Sequence, residues 1–193
     1  MRLFFAVWPP EALRMRLWRA LAPLRDAAPD VRWVPPERYH ITLRFLGDVA
    51  PPEVPRLTEA AEALAREPIF PARLTGTGTF PRRGAPRVYW VGVRAGPLRP
   101  LRRRLDEALA SKGVRGGDDR FSPHLTIGRS RRRRRGSFRS GRERRDPGSE
   151  LREACSDFVV DAVHLVRSDL FPTGPRYANI HSVELSTSQL GAD

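Results

Sequence analysis

One tetrapeptide pattern occurs twice and constrains the fold more than any other feature of the chain. His40-Ile41-Thr42-Leu43 is echoed by His124-Leu125-Thr126-Ile127, 84 residues later. Both alternate polar and apolar side chains, the signature of a half-buried strand in which residues i and i+2 share a face. Ile41, Leu43, Leu125 and Ile127 are then expected to enter a core, and each strand presents one imidazole and one hydroxyl on its polar face. Halves that carry the same strand are expected to meet about a pseudo-twofold, bringing both His–Thr pairs to one cleft.

The remaining pattern supplies matching surroundings. Strands are expected near residues 3–8, 31–34, 39–46, 69–75, 87–94, 122–128, 157–167 and 176–185, and helices near 10–24, 52–66 and 97–111. Leu98, Leu101, Leu105 and Leu109 give the last helix its apolar stripe. Strands with only a few helices between them favour an α+β protein over a doubly wound parallel sheet. The expectation is one domain over residues 1–193, with an N-terminal lobe of about 1–95 and a C-terminal lobe of about 96–193.

Composition removes several alternatives. No run of eighteen apolar residues exists, so no transmembrane helix is expected. The apolar opening Leu3-Phe4-Phe5-Ala6-Val7-Trp8 meets Pro9 and Pro10 at once and reads as a first buried strand rather than a signal peptide. A single cysteine, Cys155, rules out an internal disulfide, and a cytoplasmic, monomeric protein is the natural reading. The formal net charge of +13 points to a polyanionic partner, but residues 129–145 hold ten arginines and one glutamate, so the rest is only mildly basic.

Two facing histidines suit acid–base chemistry on a phosphodiester. Imidazole titrates near pH ~6.5, so one ring can accept a proton while the other gives one. Threonine hydroxyls can donate to the non-bridging oxygens, whose charge grows in the transition state. This arrangement calls for no cofactor and no metal, and the sequence lacks the carboxylate and histidine clustering of a two-metal site.

With these motifs the sequence resembles the 2H phosphoesterases, and within them the RNA 2′,3′-cyclic phosphodiesterases, historically called 2′-5′ RNA ligases. The resemblance spans nearly the whole chain. It includes Arg2-Leu3-Phe4-Phe5-Ala6-Val7, the run from Trp33-Val34 to His40-Ile41-Thr42-Leu43-Arg44-Phe45-Leu46-Gly47, and Phe80-Pro81 with Pro86-Arg87-Val88. It continues through Phe121-Ser122-Pro123-His124-Leu125-Thr126-Ile127-Gly128-Arg129 to Leu170-Phe171, Gly174-Pro175 and Tyr177. The resemblance implies two antiparallel β-lobes with outer helices around a V-shaped cleft. It implies His40 as proton donor, His124 as proton acceptor, and Thr42, Thr126 and Arg129 as phosphate-binding residues. It also implies hydrolysis of RNA or nucleotide 2′,3′-cyclic phosphate ends to 2′-phosphates, with reverse 2′-5′ ligation as a family activity. A 2′-5′ oligonucleotide phosphodiesterase and a non-catalytic RNA-binding module are the alternatives.

The sequence departs from the family after Arg129, where Arg131 to Arg135 form an unbroken run. The segment reads either as an RNA-gripping arm with Phe138 as a stacking surface or as a solvated loop. His164 and His181 lack a threonine partner and read as structural. Trp8, Trp33, Tyr89 and Trp90 sit at strand positions and read as core before stacking surfaces, and Cys155 reads as a bystander.

Overall fold

The computed structural model describes residues 1–81, 83–114, 121–130, 154, 156–172 and 174–187. Among these residues nine strands form one antiparallel, mixed-length sheet. They are β1 (Arg2–Val7), β2 (Val31–Trp33), β3 (Ile41–Asp48), β4 (Phe70–Phe80), β5 (Val88–Arg94), β6 (His124–Ser130), β7 (Asp157–Val160), β8 (Ala162–Phe171) and β9 (Gly174–Glu184). Their spatial order is β7-β4-β5-β6-β3-β1-β8-β9, with β2 also paired to β6. Helices α1 (Glu11–Ala20), α2 (Ala22–Ala27), α3 (Val54–Glu62) and α4 (Leu98–Ser111) accompany them. The architecture is α+β, with two antiparallel flanks.

The flanks do not follow the expected division near residue 95. β5 is hydrogen-bonded to β6 along Val88↔Arg129 to Gly92↔His124, so it belongs with the second motif rather than the first. Likewise β8 and β9, late in the chain, pair onto β1 beside the first motif. The internal repeat is therefore strand–helix–strand, with β1, α1 and β3 echoed by β5, α4 and β6. A chain that crosses between flanks ties both into one cooperative sheet.

Two differences from the sequence pattern have local causes. The first helix ends at Ala20 because Pro23 lies one turn on, and α2 restarts with that proline in its first turn. The expected strand over 157–167 breaks at Asp161, leaving β7 paired to β4 and β8 paired to β1 and β9. One residue outside the ladders thus moves the chain from one flank to the other.

Helix α4 packs its leucine stripe on the core, with Leu98, Leu105 and Leu109 fully buried. At its polar edge Asp106 accepts from Arg102 at 2.5 Å and pairs with Arg44 of β3 at 3.1 Å, and Arg102 also donates to the Leu43 carbonyl. Arg44 and Arg102 are both buried, so this carboxylate compensates two desolvated guanidinium groups and fixes α4 against the motif strand. No helix among the described residues is long and apolar enough to cross a membrane.

Candidate active site

The two flanks meet where the motifs lie. β3 and β6 share a single register pair, Ile41↔Leu125, and both side chains are completely buried. Neighbours in a strand point to opposite faces, so His40, Thr42, His124 and Thr126 all lie on the other face. Farther along, β2 takes the edge of β6 at residues 128–130, so β3 and β6 splay apart. The joint places both motifs at the base of the opening between the flanks.

Each histidine is held by the backbone just upstream. His40 Nδ1 lies 2.8 Å from the Arg38 carbonyl, and His124 Nδ1 lies 2.7 Å from the Ser122 carbonyl. A carbonyl only accepts, so both rings carry their proton on Nδ1 and direct Nε2 elsewhere. His40 Nε2 accepts from the Thr42 hydroxyl at 3.1 Å. The Arg38 carbonyl that anchors His40 is presented by a 3₁₀ turn at Pro36–Arg38, set by Pro35 and Pro36.

Aromatic rings wall in the imidazoles. His40 packs against Phe4 at 4.9 Å, Trp8 at 5.2 Å and Tyr177 at 5.2 Å between centroids. His124 stands edge-on to Phe80 at 5.3 Å and to Trp90 at 6.4 Å. Trp90 in turn lies across the bare backbone of Gly78, where any Cβ would collide with the indole. Burial in its wall drives the His40 pKa down from 6.5 to about 4, the Arg38 hydrogen bond opposes this, and the charges of His124 and Arg129 lower it further. The electrostatic influence of His124 and Arg129 on His40 places all three in one field.

A cleft of about 360 Å³ opens in front of His40, Thr42, Thr126 and Arg129. Its walls also carry Arg2, Arg32 and Arg38, and among the described residues no carboxylate lines it. Tyr177 closes one side; burial raises its hydroxyl pKa, and Arg129, Arg38 and Arg2 oppose that rise. An uncompensated cluster of guanidinium groups beside hydroxyl donors is chemistry for binding phosphate.

Comparisons with known proteins give the family. Residues 7–90 match a family model described as LigT like phosphoesterase. An RNA 2′,3′-cyclic phosphodiesterase of Thermus thermophilus is 37% identical over 197 residues, covering 96% of this chain and 90% of the relative. The chain belongs to the LigT-like phosphoesterases. A second such relative, from Archaeoglobus fulgidus, is 34% identical and is matched over its entire length, across 95% of this chain. Among solved structures, TT0787 of Thermus thermophilus superposes with a TM-score of 0.75 at 31% identity, covering 95% of this chain and 97% of that one. Escherichia coli LigT, solved with 3′-AMP, superposes with a TM-score of 0.74 at 26% identity, covering 96% and 98%. This phosphoesterase is accordingly an enzyme with the fold of those proteins. The family match stops before His124, so the second motif rests on the sheet geometry.

Residues outside the motif pairs divide into three groups. Trp8 and Trp90, expected in the core, are only partly buried and face the His40 and His124 imidazoles instead. Tyr177 was legible only through the family resemblance, and Arg32 and Arg38 carried no sequence signal. His181 pairs with Glu62 at 2.6 Å, and His164, in register with Ala6 and so two strands from Thr42, bonds to the Ser182 hydroxyl at 2.8 Å. Residues 131–145, where the arginine run and Phe138 fall, and Cys155 lie outside the described residues.

Proposed function

We propose that this phosphoesterase opens 2′,3′-cyclic phosphates at RNA ends to 2′-phosphomonoesters, with His40 as proton donor and His124 as proton acceptor. The observation that carries this reading is the shared Nδ1 anchor. It leaves Nε2 as the unprotonated nitrogen of each ring, and His40 shares a cleft with Thr42, Thr126 and Arg129. The relatives' names supply the substrate class.

In this mechanism Thr42, Thr126 and Arg129 hold the non-bridging phosphate oxygens. The Thr42 hydroxyl leaves His40 Nε2 to do so. His124 Nε2 takes a proton from a water as its oxygen attacks phosphorus. The bond from phosphorus to the ribose 3′ oxygen breaks, and that oxygen takes a proton from His40 Nε2. The product keeps its phosphate on the 2′ oxygen, and solvent exchange resets both rings.

His40 is neutral in the empty cleft, with its pKa near 4. An anionic phosphate beside it opposes the charges of Arg129 and His124 and raises its proton affinity, which favours the protonated donor when substrate is bound. A monomer suffices, because one chain supplies both histidines. Every step is assigned to a side chain, so turnover continues in excess chelator.

The test is turnover of a short RNA ending in a 2′,3′-cyclic phosphate by the intact enzyme, His40→Ala and His124→Ala. Each variant is expected to lose about 10²–10⁴ in kcat while remaining folded. A variant that keeps its rate removes that histidine from the mechanism.

A further inference from the structure

The cleft carries more positive charge than one cyclic phosphate can use. Thr42, Thr126 and Arg129 already satisfy the reacting group, yet Arg2, Arg32 and Arg38 line the same cavity. None of these three forms an ion pair among the described residues. A monoanionic ring leaves them facing one another.

Their placement is built rather than incidental. Arg32 of β2 is the direct register partner of Arg129 on β6, so the two side chains stand on one face. Like charges directly opposite in a sheet destabilise it unless an anion lies between them. Arg38 approaches from the 3₁₀ turn that also anchors His40. The guanidinium groups of Arg32 and Arg38 converge on the bare backbone of Gly174, where a Cβ would lie 2.8 Å from Arg32 Nη2 and 2.6 Å from Arg38 Nη1. Gly174 has φ +116°, a conformation that favours glycine, so nothing fills the space the two arginines use. Arg2 completes the cluster and lies 5.0 Å over the ring of Phe45, which is 50% exposed.

We propose that Arg2, Arg32 and Arg38 form a second anion subsite that binds the phosphodiester on the 5′ side of the terminal nucleotide, with the Arg2–Phe45 pair as a stacking surface beside it. The inference rests on the cyclic-phosphodiesterase reading above and names the substrate as an RNA chain rather than a mononucleotide. Chemistry fixes the direction: a 2′,3′-cyclic phosphate occupies both 3′-side oxygens of its ribose, so any further phosphate of the chain lies 5′ to it. Charge-assisted contacts from arginine to a phosphodiester and stacking on an exposed aromatic are the sequence-independent grip expected for single-stranded RNA.

The experiment compares three substrates: adenosine 2′,3′-cyclic phosphate, the dinucleotide ApA ending in a 2′,3′-cyclic phosphate, and that dinucleotide with a neutral methylphosphonate between its nucleosides. The dinucleotide is expected to be turned over with kcat/KM about tenfold or more above the mononucleotide, and the methylphosphonate to lose most of that gain. Arg32→Gln with Arg38→Gln is expected to collapse the ratio between dinucleotide and mononucleotide toward one. The methylphosphonate arm uses the unaltered protein, so misfolding of the variant does not blunt the test. Equal kcat/KM on charged and neutral dinucleotides overturns the subsite and leaves the activity standing. If none of the three is turned over, the activity falls, and calorimetric binding of the 2′-phosphorylated dinucleotide against 2′-AMP decides the subsite. Tighter dinucleotide binding that weakens in the double variant supports it, and equal binding overturns it.

Discussion

His40 and His124 are anchored by the same hydrogen bond, each giving its Nδ1 proton to the carbonyl two residues upstream, Arg38 at 2.8 Å and Ser122 at 2.7 Å. The bond sets the tautomer and leaves Nε2 as the unprotonated nitrogen of both rings. The environments then separate the two, because three aromatic rings surround His40 and hold its pKa near 4.

That separation is measurable by NMR titration of the His40 imidazole. The free enzyme is expected to show a midpoint near 4. With 2′-AMP bound, the added negative charge is expected to raise the midpoint by about one unit or more. A midpoint unmoved by the nucleotide would transfer the proton-donor role to His124.

The same shift makes stability depend on pH. The folded pKa lies below the unfolded value of 6.5, so the neutral ring stabilises the fold fully above pH 6.5 and loses that contribution as pH falls through 4. The loss is on the order of 3 kcal/mol. Urea unfolding of the intact protein and of His40→Gln between pH 7 and 4 should show a shallower decline in the variant; parallel declines contradict the assignment.

Trp8 is one of the three rings in this environment. Its indole N–H donates to Asn179 at 3.1 Å while its ring faces His40. Trp8→Leu is expected to move the His40 midpoint from about 4 toward 6.5, and Asn179→Ala to do so more weakly, both with modest loss of kcat. Unchanged titration in Trp8→Leu would show that this ring does not supply the desolvation.

Asp106 tests the link between α4 and the motif strand. Asp106→Ala leaves Arg44 and Arg102 buried without their shared carboxylate, at a cost of about 3 kcal/mol. Urea unfolding checks the value, and a loss below about 1 kcal/mol would mean that the two guanidinium groups find other partners or water.

The site was more legible in the sequence than the topology. The alternation around His40 and His124 specifies which side chains share a face, and strand geometry does the rest, because Ile41 and Leu125 cannot both be buried without turning both histidines outward. The flank assignments were not legible. β5 pairs with β6 through long-range hydrogen bonds that leave no periodicity in the sequence, and the break at Asp161 is a single residue inside an apolar run. Trp8 and Trp90 read as core because a half-buried strand aromatic looks the same whether its exposed edge meets water or an imidazole. Arg32 and Arg38 were hidden for another reason: among 35 basic residues, two more arginines carry no signal until the sheet register sets one beside Arg129.

The central claim is that two histidines open a cyclic phosphate with water. Its most direct test is phosphorus NMR of the product from a cyclic-phosphate-ended RNA in ¹⁸O-water, with intact enzyme and with the His40→Ala, His124→Ala double variant. The account predicts a 2′-phosphomonoester carrying one ¹⁸O from the intact enzyme and unopened ring from the variant. A 3′-phosphate product, a product without ¹⁸O, or ring opening by the double variant would contradict it.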